Sequence, residues 1–387
     1  MRQKLGDYVQ QIRGVSYKPG DLSENATNGY IPLLRANNIH NGELVYDNLQ
    51  YVHISKIRTE QILQKGDILL CASSGSLSLV GKAALYGGEG EYTFGAFCKV
   101  IRVKTGIAPE YLACYFSAPK YRRYINNIAL GVNINNIRNE HIDNLTIKVP
   151  SVKRQLEIVR KLSLVKKIIN CRKRQLSKLD NLVKARFVEM FEGKGHPHHT
   201  LSSLIQEGAS ISYGIVQPGD DGTGDVGIVR PVDLCNGKVF IDSIKYIDKK
   251  ISNAYKKTEL SGDELIITVR GTTGLTALTN HRCAGMNVTR GIAVIRYDKC
   301  KINPVYLNSY FNTDDAQHYI QEHTKGATLR QINLSDLRIQ QVLVPPLEEQ
   351  DSFAAFVEQV DKSKVAVQKA LDKAQQLYDS LMQEYFD

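Results

Sequence analysis

The 387-residue sequence predicts an α+β protein of two similar mixed domains, separated by an antiparallel pair of long helices that form a coiled coil. Three observations predict it. First, residues 151–191 and 347–386 each make an unbroken run with no internal Pro or Gly to interrupt a helix. Second, both runs carry an apolar seam of period 3.5, the pattern of a helix packed along its length on another helix. The first seam is Ile158, Leu162, Val165, Ile169, Leu176, Leu179 and Val183, and the second is Phe353, Val357, Val360, Lys364, Val367, Leu371, Ala374, Tyr378 and Leu381. Third, the second seam is the first displaced by 195 residues, so the chain is an internal duplication with a pseudo-twofold repeat. At 1.5 Å per residue each run is a rod of roughly 60 Å, too long to be buried within one ordinary domain.

The repeat divides the chain into residues 1–150, a first domain; 151–195, a central long helix and linker; 196–346, a second domain; and 347–387, a C-terminal long helix. In the first domain, a short amphipathic piece, LGDYVQQIRG, precedes a loop. Strands are predicted at Tyr30–Leu34, Leu44–Tyr46, Asp67–Cys71 and Cys98–Val103, with a Gly/Ser-rich segment before the last. A helix starts at Pro109 and runs through PEYLACYFSAPKYRRYINNI, and a loop and an extended stretch lead to the long helix. The second domain repeats that order. Arg230 answers Arg35, Asn236-Gly237 answers Asn41-Gly42, Gly262-Asp263 answers Gly66-Asp67, Tyr306 answers Tyr111, Ile332 answers Ile137 and Gln350 answers Gln155. Between these anchors the loops differ, as in two recognition domains with different targets. The linker EGKGHPHHT holds three histidines. Its glycines mark a helix stop rather than a phosphate-binding turn, because no strand precedes them, and a free linker does not converge ligands on a metal.

Composition narrows the function. The net charge is +10, which favours a polyanionic partner. Residues 151–194 carry a net +9 and residues 347–387 a net −5, so the two rods attract. Lys364 and Arg172 sit at seam positions and are read as register-setting. No apolar run reaches the roughly 18 residues of a membrane span. The N-terminus has no apolar core of a signal peptide, and seven irregularly spaced cysteines without a CxxC pair read as reduced thiols; a cytoplasmic protein is expected. No nucleophile elbow, Walker loop, HExxH or Asn-Pro-Pro-Tyr motif is present, so no catalytic or metal-binding residue is assigned.

The binding candidates lie in Gly-, Ser- and Thr-rich loops, where exposed backbone N–H groups and hydroxyls suit phosphates, and Arg, Asn and Gln suit base edges. In the first domain they are Arg13, Tyr17 and Lys18; Arg35, Asn37 and Asn38; Ser73, Ser74, Gly75, Ser76 and Lys82; and Asn133, Asn135 and Arg138. In the second they are Tyr213 and Gln217; Arg230; Arg270, Thr272 and Thr273; Asn287, Thr289 and Arg290; and Lys325, Thr328, Arg330 and Gln331. Turn chemistry alone is the competing explanation for each of them.

The whole chain resembles the DNA-sequence specificity subunit of type I restriction–modification enzymes. The likeness rests on the duplicated arrangement and on local text: KGDILLCASSGS and SGDELIITVRGTTG, and the domain endings LTIKVPSVKRQLEIV and IQQVLVPPLEEQDSF, the first of which departs from the family's usual ending at several positions. The resemblance implies a non-catalytic subunit that binds a bipartite double-stranded DNA site, one half per domain, with the helices setting the spacing. It implies two modification subunits docked on the helices and restriction subunits beyond them. S-adenosylmethionine, ATP and Mg would sit on those partners and none on this chain. Two other classes stay open on the residues alone: a nuclease or methyltransferase fused to a recognition domain, and a coiled-coil adaptor that binds only protein.

Overall fold

A computed structural model describes residues 2–76, 78–131, 136–217, 219, 224–235, 237–326 and 329–387. The chain divides into two compact units, Met1–Lys173 with Lys369–Asp387, and Arg174–Gln368. Among the described residues, no helix is long and apolar enough to cross a membrane, and all seven cysteines are free.

In the first unit, an antiparallel sheet has the order Val9–Arg13, Cys98–Val103, Ile68–Cys71, Ala83–Leu85. A second sheet sets Thr93–Phe94 parallel to Tyr30–Leu34, followed by Gln50–His53 and Leu22–Ser23. The second unit uses the same scheme. Ser212–Tyr213, Ile292–Ile295, Leu265–Thr268 and Thr276–Leu278 follow one another in one sheet, and Asn287–Val288 lies parallel to Val226–Val229 in the other. The apolar runs ILLC and LIIT are buried at every position, because each strand is central and covered on both faces.

Two 40-residue helices, Val152–Phe191 and Leu347–Phe386, supply part of each core. In the first unit, Ile158 and Leu162 join Met382, Tyr385 and Phe386 in one cluster, and Val165 and Ile169 pack with Ala374. In the second unit, Phe187 and Phe191 pack with Phe353. Low numbers on one helix meet high numbers on the other, so within each unit the pair is antiparallel. Every predicted seam residue is buried or half-buried. Lys364 reaches Asp180 at 2.7 Å from its seam position. Each fully buried aromatic of this seam contributes about 2–3 kcal/mol.

Each long helix is fastened to its domain by one buried glutamine. Gln155 accepts the Ala108 N–H at 2.7 Å and donates to the carbonyls of Gly106 and Pro150. Gln350 accepts the Asn303 N–H at 2.8 Å and donates to the Pro345 carbonyl at 2.7 Å.

The structure departs from the sequence reading in several places. LGDYVQQIRG is a short turn and then the strand Val9–Arg13, since pairing along Lys99–Val103 outweighs its amphipathic pattern. The helix from Pro109 stops at Phe116 and a second begins at Pro119, whose ring disfavours helical backbone just before it. Within the linker, His198–Thr200 is a strand paired with Gln341–Leu343. The repeat also slips locally. Cys71 and Cys98 face each other as Thr268 and Ile292 do, so the partner of Asp67 is Glu264 rather than the Asp263 that the Gly-Asp text suggests.

Candidate nucleic-acid interface

In the first domain the site starts at a close backbone crossing. A Cβ on Gly14 would meet the Gly95 carbonyl oxygen at 2.1 Å, so only glycine lets the chain after Arg13 pass there. Val15 then pairs with Gly95, and its N–H donates to the Phe94 carbonyl at 2.8 Å. This brings Tyr17 over Gly95. From the other side, the Ala72 and Ser73 N–H groups both donate to the Phe97 carbonyl, at 2.9 and 3.0 Å, and Ser73 bridges to Asn136. The result is a pocket of about 350 Å³ lined by Tyr17, Arg35, Asn37, Ser73, Ser74, Gly75 and Phe97. Its floor includes the buried thiol of Cys98. Burial pushes the Cys98 thiol well up and the Cys71 thiol up, so both serve as packing rather than as nucleophiles.

The second domain builds the corresponding place. A Cβ on Gly214 would meet the Val288 carbonyl oxygen at 1.9 Å, and the Ile215 N–H donates to that oxygen at 2.8 Å. Gly214 answers Gly14, so Tyr17 is matched by Gln217 and Arg13 by Tyr213. The Val269 N–H donates to the Gly291 carbonyl at 2.8 Å, Arg270 bridges to Gln331, and the Gly271 N–H donates to the Arg330 carbonyl at 2.8 Å. A second pocket, also of about 350 Å³, is lined by Ile215, Val216, Arg270, Gly271, Thr289, Arg290, Gly291 and Leu329. Neither lining contains a carboxylate among the described residues. Both offer donors, hydroxyls and apolar surface, and among the described residues neither lining sets a histidine or carboxylate beside a hydroxyl. Among the described residues, no three His, Cys, Asp or Glu gather to hold a metal ion.

Most predicted residues fall in or beside these pockets. In the first domain, Tyr17, Arg35, Asn37, Ser73, Ser74 and Gly75 line one. Ser76 continues its loop, exposed, while Lys82 closes the loop half-buried. Arg138 is exposed next to the Asn136 bridge and pairs with Glu140 at 3.4 Å. Arg13 and Lys18 flank the crossing with exposed side chains. In the second domain, Arg270, Thr289 and Arg290 line the other pocket and Thr272 is exposed beside it. Lys325 pairs with Gln331, and Arg330 precedes it, so all three border Arg270. Tyr213 is half-buried and Gln217 exposed at the crossing. Asn133, Asn135 and Thr328, and the anchor Asn236, lie outside the described residues.

Four candidates are corrected, because their polar groups are already spent on the fold. The Asn38 side chain, 1% exposed, accepts the Arg35 N–H and donates to the carbonyls of Val45 and Asp47. Arg230 makes a two-pronged ion pair with buried Asp233 at 2.9 and 2.7 Å. The Thr273 hydroxyl is buried against that of Thr324 at 3.0 Å. Asn287, fully buried, donates to the Ser252 hydroxyl and the Tyr255 carbonyl and accepts from the Thr258 hydroxyl. Polar residues in turns satisfy the turn first, and spacing alone does not separate the two uses. In the other direction, sequence reading missed Phe97, 66% exposed, and Leu329 and Val216. Phe97 had a usable signal: an aromatic in a Gly-bounded turn, TFGAFC, just ahead of a strand.

A duplicated α+β module whose two copies hold equivalent, carboxylate-free pockets defines a two-headed recognition protein. The chain belongs to the family of the type I restriction modification DNA specificity domain, whose pattern matches residues 4–181 and 219–375. It is 27% identical over 399 residues to the type I restriction enzyme StySPI specificity subunit of Salmonella potsdam, covering 97% of this chain and 86% of that protein. It is likewise 27% identical to the EcoKI specificity subunit of Escherichia coli K12, with the same coverage. Among solved structures, the S subunit of a type I system from M. genitalium aligns over 100% of this chain and 96% of its own, with a TM-score of 0.55 and 13% identity. A chain from a study of type I complex assembly and conformational transition aligns over 100% of this chain and 97% of its own, with a TM-score of 0.58 and 16% identity.

Proposed function

We propose that this chain reads a bipartite double-stranded DNA target, one half-site per domain, on behalf of a type I restriction–modification complex. One observation carries the reading: the same corner of the repeated fold holds a pocket in each domain, framed alike and lined differently. A shared frame with divergent linings is what two readers of two different half-sites require. The net charge of +10 and the exposed Lys18, Arg138, Lys325 and Arg330 suit phosphate contacts that position the duplex, while the pocket residues face base edges. Methylation and cleavage are assigned to modification and restriction subunits. Modification subunits would dock on the long helices, whose exposed Leu156, Leu164 and Ile168 leave an apolar stripe on the first of them. The setting is the cytoplasm, where the genomic DNA and these partners meet.

The test is a methylome map of a host expressing the chain with its modification subunit. A bipartite adenine-methylation motif is expected, and replacing residues 1–150 by another recognition domain should change one half only. No new motif, or a swap that alters both halves, would overturn the reading. DNA binding by the complex should also weaken steeply with salt as counterions are released.

A further inference from the structure

We infer that the two domains use non-equivalent arginines to read their half-sites: Arg35 in the first and Arg270 in the second. Arg230, the repeat partner of Arg35, is instead a structural clamp. This inference rests on the function proposed above.

Arg35 and Arg230 begin alike. Each follows a strand, and each donates one terminal N–H to a carbonyl thirteen residues ahead, that of Asn48 at 3.1 Å or Ser243 at 2.9 Å. The residue three positions on separates them. In the second domain it is Asp233, which takes both Nε and Nη2 of Arg230. In the first domain it is Asn38, which accepts only the backbone N–H of Arg35 and turns its amide toward Val45 and Asp47. The Nε of Arg35 is left buried with no hydrogen-bond partner, and the side chain lines the pocket beside Tyr17 and Phe97.

The second domain compensates from a different strand end. Ser73 and Arg270 occupy the same place, shown by their bridges to Asn136 and Gln331. Arg270 lines the second pocket, and its Nε is also buried without a partner. Each pocket therefore holds one guanidinium with an unmet buried N–H, entering from a different element. Such a group is costly unless a ligand supplies the acceptor. The guanine edge, with O6 and N7 side by side, is the acceptor a fixed guanidinium fork matches. A wall position, with Arg35 pinned by the Asn48 carbonyl, suits a base edge better than a phosphate, which flexible exposed cations reach as well. The repeat has thus kept one such guanidinium per pocket while moving it, with Arg290 as a further arginine in the second lining.

The experiment is selection from randomised duplexes by the complete complex of this chain with its modification subunits. Arg35→Ala should reduce discrimination at one base pair of one half-site by about 10- to 100-fold. Arg270→Ala should do so in the other half-site alone. Arg35→Lys keeps the charge but loses the fork, so it should relax the same base pair as Arg35→Ala while keeping the salt dependence of binding. Arg230→Ala should keep both motifs and lower the melting temperature. Arg35 variants that retain the full motif overturn the inference, whether binding is unchanged or is weakened uniformly with a salt slope smaller by about one, the mark of a lost phosphate contact. A relaxed motif in Arg230→Ala overturns the asymmetry. If the unaltered complex selects no pair of half-sites, it is the proposed function that fails.

Discussion

The buried ion pair under each sheet shows how the two domains keep a frame and change its chemistry. In the first domain Asp67 and Arg102 meet in two-pronged geometry, at 2.8 and 2.7 Å, and that contact raises the Arg102 pKa. In the second domain Glu264 stands at the same place with one more methylene. It reaches past its arginine into the turn, accepting N–H groups of Ser261, Gly262 and Asp263 and the hydroxyls of Ser261 and Thr279. Arg296 is left to donate to the carbonyls of Lys257 and Glu259. The first carboxylate is held by one arginine and the Gln64 N–H at 2.8 Å, whereas the second spreads its charge over five donors. The lesson is that equivalent buried carboxylates are not equally exposed to damage.

That contrast can be broken experimentally. Asp67→Asn removes the carboxylate that Arg102 meets, leaving it the Ile62 carbonyl, and should cost about 3–5 kcal/mol, read by urea unfolding with amide exchange to localise the loss to the first unit. The glutamine fasteners form a control that should not discriminate. Gln155→Leu and Gln350→Leu each leave a buried N–H unpaired and should cost about 2–3 kcal/mol, similarly in both units. Glu264→Gln keeps most of its donors supplied with an acceptor and should cost only about 1–2 kcal/mol. Equal losses for Asp67→Asn and Glu264→Gln would refute the contrast.

Acidity sharpens it. Burial pushes the Glu264 carboxyl up, but hydrogen bonds from Ser261, Thr279 and the Asp263 N–H more than offset this, so its pKa lies below the usual value. Its stabilising share is therefore present above the ordinary glutamate pKa and is lost as pH falls through the lowered one. Glu264→Gln should flatten that acid limb.

The smallest effect belongs to Lys99, which has only Ala293 opposite it in the repeat. Burial lowers its pKa to about 8 from 10.5. The unfolded chain then holds more protons between those values, so stability should rise as pH climbs from about 8 toward 10.5. Lys99→Met should remove that rise, and a retained rise would assign it to another group.

Much of the architecture was legible from one strand of text. The seam from Ile158 to Val183 and its copy at 195 residues' distance announced the helices, because a heptad repeat has few other uses. The strand Cys98–Val103 was readable because four of its six residues are apolar and turns bound it. The strand Val9–Arg13 was not, because its pattern matches a helix as well as a strand and only its partner chose. In the candidate site, Arg35, Ser73 and Arg270 were found by residue type and loop context. Asn38 and Arg230 were chosen on the same grounds and proved committed to the fold, and Phe97 was passed over.

Sequence by itself determined the duplication, the two long helices, their opposite charges and the family. These are properties of periodicity and composition, which need no third dimension. Tertiary structure alone decided that, among the described residues, Arg230 meets a carboxylate while Arg35, its repeat partner, does not. That outcome turns on Asn38 or Asp233 three residues away and on strands offset by two residues more or one residue less than the seam, contacts that spacing along the chain does not encode.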